Sequence, residues 1–141
     1  MDGDKTFLLE IITPERTFYH DQTKMVIVPA IDGELGVLHG HAPMVASLAV
    51  GEVRIQKPDG SWRTAACSDG FMRAGPEHTL ITVQTAEWPE EIDVNRAKIQ
   101  LMHAEEQLRQ KESMREFAAS KNKLARAVLR LRIGGRGSVN H

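Results

Sequence analysis

The hydrophobic pattern divides the chain into two parts with different periods. From Thr6 to Thr85, apolar residues occur in short runs or alternate with polar residues, as Val53 and Ile55 do between Gly51 and Lys57. Such alternation is typical of strands with one buried face, and short strands separated by turns indicate an all-β sandwich or barrel. The run Lys24–Pro29 is nearly all apolar, which predicts a strand covered on both faces. The predicted strands are Phe7–Ile12, Lys24–Pro29, Gly51–Lys57, Ser61–Cys67, Phe71–Ala74 and Thr79–Gln84.

Glycine and proline mark the turns between these strands. Pro58-Asp59-Gly60 predicts a hairpin turn, because proline suits the second turn position and glycine tolerates positive φ. The densest turn region runs from Asp32 to Pro43 and carries three glycines within eight residues. It predicts a tight turn, a short strand and a second tight turn, which together present Glu34 and His41 on one rim.

After Pro89 the apolar period becomes helical. The spacing of Val94, Ala97, Leu101, Ala104 and Leu108 predicts a helix from about Asp93 to Lys111. A second helix follows a short polar link at Gln110–Ser113, and Gly134-Gly135 is expected to end it, so that the two helices form an antiparallel hairpin. We therefore predict a β-sandwich domain at residues 1–90 and a two-helix domain at 91–141. The predicted apolar face of the second helix consists of Phe117, Leu124, Val128 and Leu131.

The seam between the predicted helices is rich in alanine, which buries little area per residue. A hairpin of this kind closes but can also open, whereas the alternative is an ordinary helical cap on a sandwich. The alanines on or beside the seam are Ala97, Ala104, Ala118 and Ala125.

Charge separates the same two parts. There are 7 Lys and Arg against 14 Asp and Glu up to Ile92, and 11 against 5 from Asp93 onward. A basic second helix has three interpretations, namely a solvated face, a contact with phosphates of nucleic acid, or a contact with an acidic protein surface. A single cysteine, Cys67, excludes an internal disulfide and is interpreted as a small buried hydrophobe. The chain has no apolar run long enough to span a membrane.

Chemical motifs argue against catalysis. Ser68 lacks the G-x-S-x-G context of a hydrolase nucleophile, and neither a Walker A motif nor G-x-G-x-x-G is present. His39 and His41 have Asp32 and Glu34 nearby but no third convergent ligand at a recognisable spacing, so we predict no metal site.

The Gly33–Pro43 segment resembles the GELG-x-x-x-GHAP pattern of the epsilon subunit of bacterial F-type ATP synthases, with every fixed position present. The resemblance extends from about Phe7 to Ile133. It implies an all-β sandwich of about ten strands followed by an α-helical hairpin. It also implies a non-catalytic subunit of the central stalk, which couples rotation of the c-ring to the catalytic head. Such a subunit is peripheral on the cytoplasmic face of the bacterial cell membrane and meets the membrane only through the complex.

The same resemblance implies partners and residue roles. The β-sandwich would bind the gamma subunit, and the rim with Glu34 and His41 would face the c-ring. When the hairpin extends, its basic helix would meet the alpha and beta subunits and inhibit ATP hydrolysis through Lys123, Arg126 and Arg130. The alternative function is a β-sandwich with a basic hairpin that binds nucleic acid; salt-sensitive retention of duplex DNA would distinguish it from co-purification with a membrane-bound ATPase.

The segment Ile92–Ala97 resembles the nucleotide-binding signature of some epsilon subunits, which implies ATP as a regulatory ligand and no required cofactor. His103 departs from the pattern, because ATP-binding members have an arginine there. From the residues alone, Asp93 and Arg96 are explained equally well by the start of a helix, where acidic side chains favour the dipole. By position, the base and ribose would contact Glu87, Asp93, Arg96 and Ala97, and the phosphates Arg126 and Arg130.

Overall fold

The computed structural model describes residues 5–110 and 114–139, with side chains up to residue 109 and from 121 to 135. The chain divides into two compact units, Met1–Ala86 and Glu87–His141. The boundary predicted from the sequence lies four residues further along the chain.

The first unit contains an all-β sandwich, as predicted. The strands at both sides of the Pro58-Asp59-Gly60 turn form as expected, whereas the strand Thr17–Thr23 was not predicted, because charged and aromatic residues interrupt its alternation. The described residues contain ten strands, namely β1 Phe7–Ile12, β2 Thr17–Thr23, β3 Met25–Ala30, β4 Gly33–Leu38, β5 Met44–Leu48, β6 Gly51–Gln56, β7 Trp62–Cys67, β8 Gly70–Ala74, β9 His78–Val83 and β10 Ala86–Glu87.

The ten strands form one hydrogen-bonded sheet with two five-stranded halves. One half has the order β10-β7-β6-β3-β4 and the other β5-β8-β9-β1-β2. They join where β3 and β5 pair at a single position, Ala30 opposite Leu48. β1 and β9 run parallel, which places Leu8 opposite His78.

The core lies on the inward-facing side of each strand. Val26 and Val28 of β3 are fully buried, whereas Met25 and Ile27, which alternate with them, remain partly exposed. The expectation that both faces of this strand are covered was therefore wrong: in an antiparallel sheet one face can border solvent even where its residues are apolar. The largest fully buried side chains of the unit include Phe7, Leu9, Ile11, Val37, Val53, Ile55, Met72 and Ile81.

Two local features follow the sequence closely. Gly60 has a φ of +90°, and Asp59 Oδ1 accepts hydrogen bonds from Ser61 Oγ at 2.6 Å and Ser61 N at 2.9 Å. These bonds lower the pKa of the Asp59 carboxyl, because they stabilise its charged form. Cys67 is buried, and burial raises the pKa of its thiol to about 12, so the thiol is neutral and packs as a hydrophobe, as predicted.

The second unit begins with a 3₁₀ turn at Pro89–Glu91 and continues with two helices, α1 Val94–Gln110 and α2 Met114–Val139, which form the predicted hairpin. The predicted link Gln110–Ser113 lies largely outside the described residues. The prediction that Gly134-Gly135 ends the second helix was wrong, since α2 continues to Val139. Gly134 is buried against Ile92 and Val94, and packing of this kind can offset the low helix propensity of glycine.

The seam of α1 is the predicted one, but that of α2 differs. Ala97 and Ala104 are buried on α1. On α2 the buried residue between Leu124 and Leu131 is Ala127, whereas Val128 is 47% exposed and Ala125 is exposed, so both of those assignments were wrong. The two leucines fit either register, and the small Ala127 lets the backbones approach more closely than valine would. The side chains of Phe117 and Ala118 lie outside the described part.

α2 is also buried on a second side. Leu129 and Ile133 are 4% and 1% exposed, and Leu129 lies two residues from Ala127, or about 200° around the helix. This helix is therefore covered on two opposite sides, which a single apolar stripe did not predict.

Candidate functional site

The glycine-rich segment forms the two turns that were predicted around β4. Gly33 and Gly40 have φ values of +134° and +83°, a region that favours glycine. Glu34 is the second residue of β4, and its carboxylate pairs with the Arg54 guanidinium of β6, with both side chains substantially exposed.

His41 lies beyond the other end of β4. Its Nδ1–H donates to the Ala42 carbonyl at 2.7 Å, and Gly40 N donates to the Pro76 carbonyl at 2.7 Å. Four residues separate Glu34 from Leu38, a span of about 13 Å in a strand. Glu34 therefore lies near one end of β4 and His41 beyond the other, and their presentation on one rim stays a prediction. A six-residue strand between the two turns separates them.

An exposed apolar patch lies on the outer surface of β5 and β8. Val45 and Phe71 are 68% and 62% exposed, and the register places them on the same surface, with Val45 opposite Arg73 and Phe71 opposite Ser47. The neighbouring strands add the partly exposed Leu80 and Ile12 to that surface. We call this surface the β5–β8 face. No prediction from the sequence included this face, although the alternation in both strands could have indicated which side chains point outward.

Two side chains of the second unit contact the Arg130 guanidinium. Its Nη2 donates to Glu87 Oε2 at 3.2 Å, its Nε lies 2.8 Å from Glu87 Oε1, and its Nη1 donates to Gln100 Oε1. The side chains of Arg130 and Glu87 are only 17% and 28% exposed. Two of the residues proposed for nucleotide binding are thus brought together. Gln100 was missed, although its position seven residues after Asp93 puts it on the same helical face.

The remaining nucleotide candidates have local roles or lie on the surface. Asp93 caps α1, because its Oδ1 accepts a hydrogen bond from Arg96 N at 3.0 Å and its carbonyl accepts one from Ala97 N at 2.9 Å. Ala97 is fully buried in the hairpin seam. The side chains of Arg96 and His103 are exposed, and that of Arg126 is partly exposed.

The Ser68 hydroxyl has a structural role in the β unit. Ser68 Oγ accepts hydrogen bonds from the backbone N–H groups of Gln84 and Thr85, both at 2.9 Å, which ties the turn between β7 and β8 to the residues that follow β9. Within residues 5–110 and 114–139, no three His, Cys, Asp or Glu side chains are grouped as a metal site would require. The helices in the same part of the chain lack the length and hydrophobicity needed to cross a membrane.

Two family models match consecutive parts of the chain. The β-sandwich domain of the ATP synthase delta/epsilon chain matches residues 6–89, and the long α-helix domain of the same chain matches residues 90–135. The chain belongs to the ATP synthase delta/epsilon chain family. The resemblance drawn from Gly33–Pro43 is confirmed.

Curated relatives of this family narrow the assignment. The ATP synthase epsilon chain of Ruminiclostridium cellulolyticum is 46% identical over 126 residues, covering 89% of this chain and 93% of that one. The epsilon chain of Caldanaerobacter subterraneus subsp. tengcongensis is 42% identical over 134 residues, covering 94% and 96%. Within the ATP synthase family the chain is therefore of the epsilon type, a non-catalytic subunit of the rotary complex that makes ATP. This membership favours the ATP synthase interpretation over nucleic-acid binding.

Solved structures of ATP synthase share the fold. A chain in the mitochondrial ATP synthase of Euglena gracilis (OSCP/F1/c-ring) matches with a TM-score of 0.77 and 19% identity, covering 95% of this chain and 81% of that one. A chain in the central stalk/c-ring structure from Tetrahymena thermophila matches with a TM-score of 0.66 and 11% identity, covering 92% and 97%.

Proposed function

We propose that this epsilon-type chain is a rotor subunit of the central stalk, on the cytoplasmic face of the bacterial cell membrane. Its β unit binds the gamma subunit and the c-ring, and its hairpin regulates ATP hydrolysis by the catalytic head. The exposed apolar β5–β8 face, on a chain of the ATP synthase delta/epsilon family, carries this proposal. The matched chains of Euglena and Tetrahymena, which come from structures titled as containing the c-ring, support it.

The β5–β8 face is the proposed gamma-binding surface. Val45 and Phe71 have the highest exposed fractions among the large hydrophobic side chains of the described strands. Burying such a side chain contributes about 1.5–3 kcal/mol to the free energy of binding. A partner that covers both side chains would therefore draw much of its binding free energy from them. Arg73 lies directly opposite Val45 on the same surface, and arginine is enriched at interfaces.

The ends of β4 are the proposed c-ring contacts. The exposed Glu34–Arg54 pair presents both charges to a partner, whereas His41 holds its Nδ1–H on the Ala42 carbonyl and leaves Nε2 available.

Replacing Glu34 with lysine and His41 with alanine together is expected to weaken c-ring binding about fivefold, since each exposed polar contact contributes about 0.2–1 kcal/mol. Pull-down of the c-ring and ATP-driven ion pumping measure this. The two single variants then show which end of β4 makes the contact, and Glu34→Gln separates loss of charge from the repulsion that a lysine creates beside Arg54. Wild-type pull-down and pumping by the double variant would contradict the assignment.

The hairpin is the proposed regulatory element. In its extended form, Lys123, Arg126 and Arg130 would meet acidic segments of the alpha and beta subunits and inhibit hydrolysis. These residues lie at i, i+3 and i+7, so they share one side of α2. In the closed hairpin Arg130 is already engaged by Glu87 and Gln100, which removes one of the three charges from contact with a partner.

ATP is the proposed ligand that favours the closed hairpin. Glu87, Asp93, Arg96 and Ala97 stand before or on α1, and Arg126 and Arg130 stand on α2, so a nucleotide bound by both helices stabilises only the closed form. The Glu87–Arg130 pair joins a residue that precedes α1 to a residue of α2, and this contact supports the proposal. A phosphate at Arg130 would have to displace Gln100 or Glu87, which lowers the affinity.

Titration calorimetry of the isolated chain should therefore detect weak ATP binding. His103→Arg should tighten it, because arginine supplies a permanent positive charge, and Arg126→Ala should abolish it. At a hundredfold excess over Kd, the ligand would stabilise the closed form by about 2.7 kcal/mol. If neither the wild type nor His103→Arg releases heat with millimolar ATP, Ile92–Ala97 serves only as the start of a helix.

A further inference from the structure

We propose that the absence of a side chain at Gly134 permits the hairpin to close. α2 can approach the start of α1 only because position 134 carries no Cβ atom. This inference rests on the proposed opening and closing of the hairpin, and it identifies Gly134 as a residue that sets the ratio of the closed to the open form. It predicts that any side chain at position 134 shifts the hairpin toward the open form, even a methyl group that improves helix propensity.

The closed hairpin leaves no room for a side chain at position 134. A Cβ atom placed there would lie 2.9 Å from Ile92 Cγ2, 3.1 Å from Val94 Cγ2 and 3.3 Å from Ile92 Cβ. Ile92 is 8% exposed, and both neighbours are β-branched, so their Cγ2 methyl groups are held by stiff χ1 angles. A methyl group on residue 134 is therefore accommodated only by moving one helix terminus away from the other.

The adjacent Gly135 supplies an internal control. No atom lies within 4 Å of a Cβ placed there, and this residue belongs to the same helix. Both glycines lower helix stability to the same degree, and replacing either with alanine favours the helix about fivefold. Because this gain is the same for both substitutions, it cancels when the two variants are compared, and only the steric difference between the two positions remains.

The contact at Gly134 lies close to the Arg130–Glu87 ion pair. Ile92 and Val94 flank Asp93, the cap of α1, and Gly134 lies one helical turn after Arg130. The steric contact and the Arg130–Glu87 pair therefore act on neighbouring turns of α2. A change that separates the two helix termini at Gly134 also strains the ion pair beside it.

The test compares four full-length proteins: wild type, Gly134→Ala, Gly135→Ala, and Gly134→Ala combined with Ile92→Leu. Thermal unfolding followed by the helical circular dichroism signal is expected to give a lower midpoint for Gly134→Ala and an equal or higher midpoint for Gly135→Ala. Leucine lacks the Cγ2 methyl group at its Cβ, so Ile92→Leu is expected to restore most of the loss. Equal midpoints for the two alanine variants would overturn the proposal.

A second measurement follows the hairpin directly. Spin labels on Lys98→Cys and Arg132→Cys report the distance between the helices, and the buried thiol of Cys67 remains unlabelled. The open-to-closed ratio is expected to rise about tenfold in Gly134→Ala, the scale of an overpacked site, and to stay within about twofold in Gly135→Ala. The same ratio in both variants would also overturn the proposal. Neither measurement needs the ATP synthase complex, so a Gly134 effect without a change in hydrolysis would contradict only the regulatory role of the hairpin.

Discussion

Replacing Phe71 with glutamate is expected to weaken binding of the gamma subunit at least about a hundredfold. The variant removes an aromatic side chain that is 62% exposed on the β5–β8 face and places a carboxylate where the partner would cover it. Loss of the apolar contact and burial of an unpaired charge together cost about 3 kcal/mol or more, which corresponds to this factor. Calorimetry or co-purification with the gamma subunit measures the change.

The matched control for this variant is Trp62→Glu. Trp62 is also an exposed aromatic residue, at 47%, but it lies on β7 in the other half of the sheet. It is expected to leave gamma binding within about twofold of the wild type. Both variants should unfold like the wild type, since each side chain projects outward. If Trp62→Glu abolishes binding and Phe71→Glu does not, the gamma subunit binds the opposite half.

Neutralising Lys123, Arg126 and Arg130 together is expected to raise ATP hydrolysis by the assembled complex about tenfold at low salt. Each charge that meets an acidic partner contributes about 0.5 kcal/mol, and three such contacts give roughly this factor. The increase should shrink as salt is added, because screening already weakens the wild-type contacts. Hydrolysis is measured across an ionic-strength series with the glutamine variants.

Arg130 requires its own comparison, because it has a partner in the closed hairpin. Removing it takes away an inhibitory charge but also breaks the pair with Glu87, which frees the hairpin to extend. The variant Lys123→Gln with Arg126→Gln keeps that pair and isolates the charge effect. Glu87→Gln does the reverse and is expected to increase inhibition. Hydrolysis that stays constant in all of these variants would show that the arm does not inhibit.

Local chemistry made most of the β unit predictable. The alternation around Val53 and Ile55 and the turn glycines Gly33 and Gly60 each depend on interactions within a few residues, and the structure follows them. β2 could not be predicted in the same way. It is held by pairing with β1, and its own sequence carries no clear period of two.

The helical unit shows where local rules are insufficient. Leu124 and Leu131 allow two registers, and only the opposing helix decides that Ala127 lies inside and Val128 outside. In the same way, Gly134 would end an isolated helix, whereas contact with Ile92 continues it. Both errors arise because these residues pack against another part of the chain. Helix propensity and the spacing of apolar residues are local properties and give no information about such packing.

The candidate site was predictable only in part, because the resemblance identifies residues but not their contacts. The family resemblance selected Glu87 and Arg130, which the structure joins, but it gave no indication of Gln100. Asp93 matches both the nucleotide signature and a helix cap, and its observed hydrogen bond to Arg96 N is the cap. The two turns of Gly33–Pro43 were predictable from their glycines, whereas the presentation of Glu34 and His41 on one rim stays a prediction.

The parallel pairing of β1 with β9 has a consequence for biosynthesis. Leu8 finds its partner His78 only after 70 further residues have been made, so the edge of β1 that does not pair with β2 stays open until almost the whole β unit has been made. Such distant pairings slow folding and leave strand edges exposed in the meantime. During translation, the apolar strand Phe7–Ile12 is therefore the segment for which a chaperone would compete, and the β5–β8 face cannot be complete until β9 has left the ribosome.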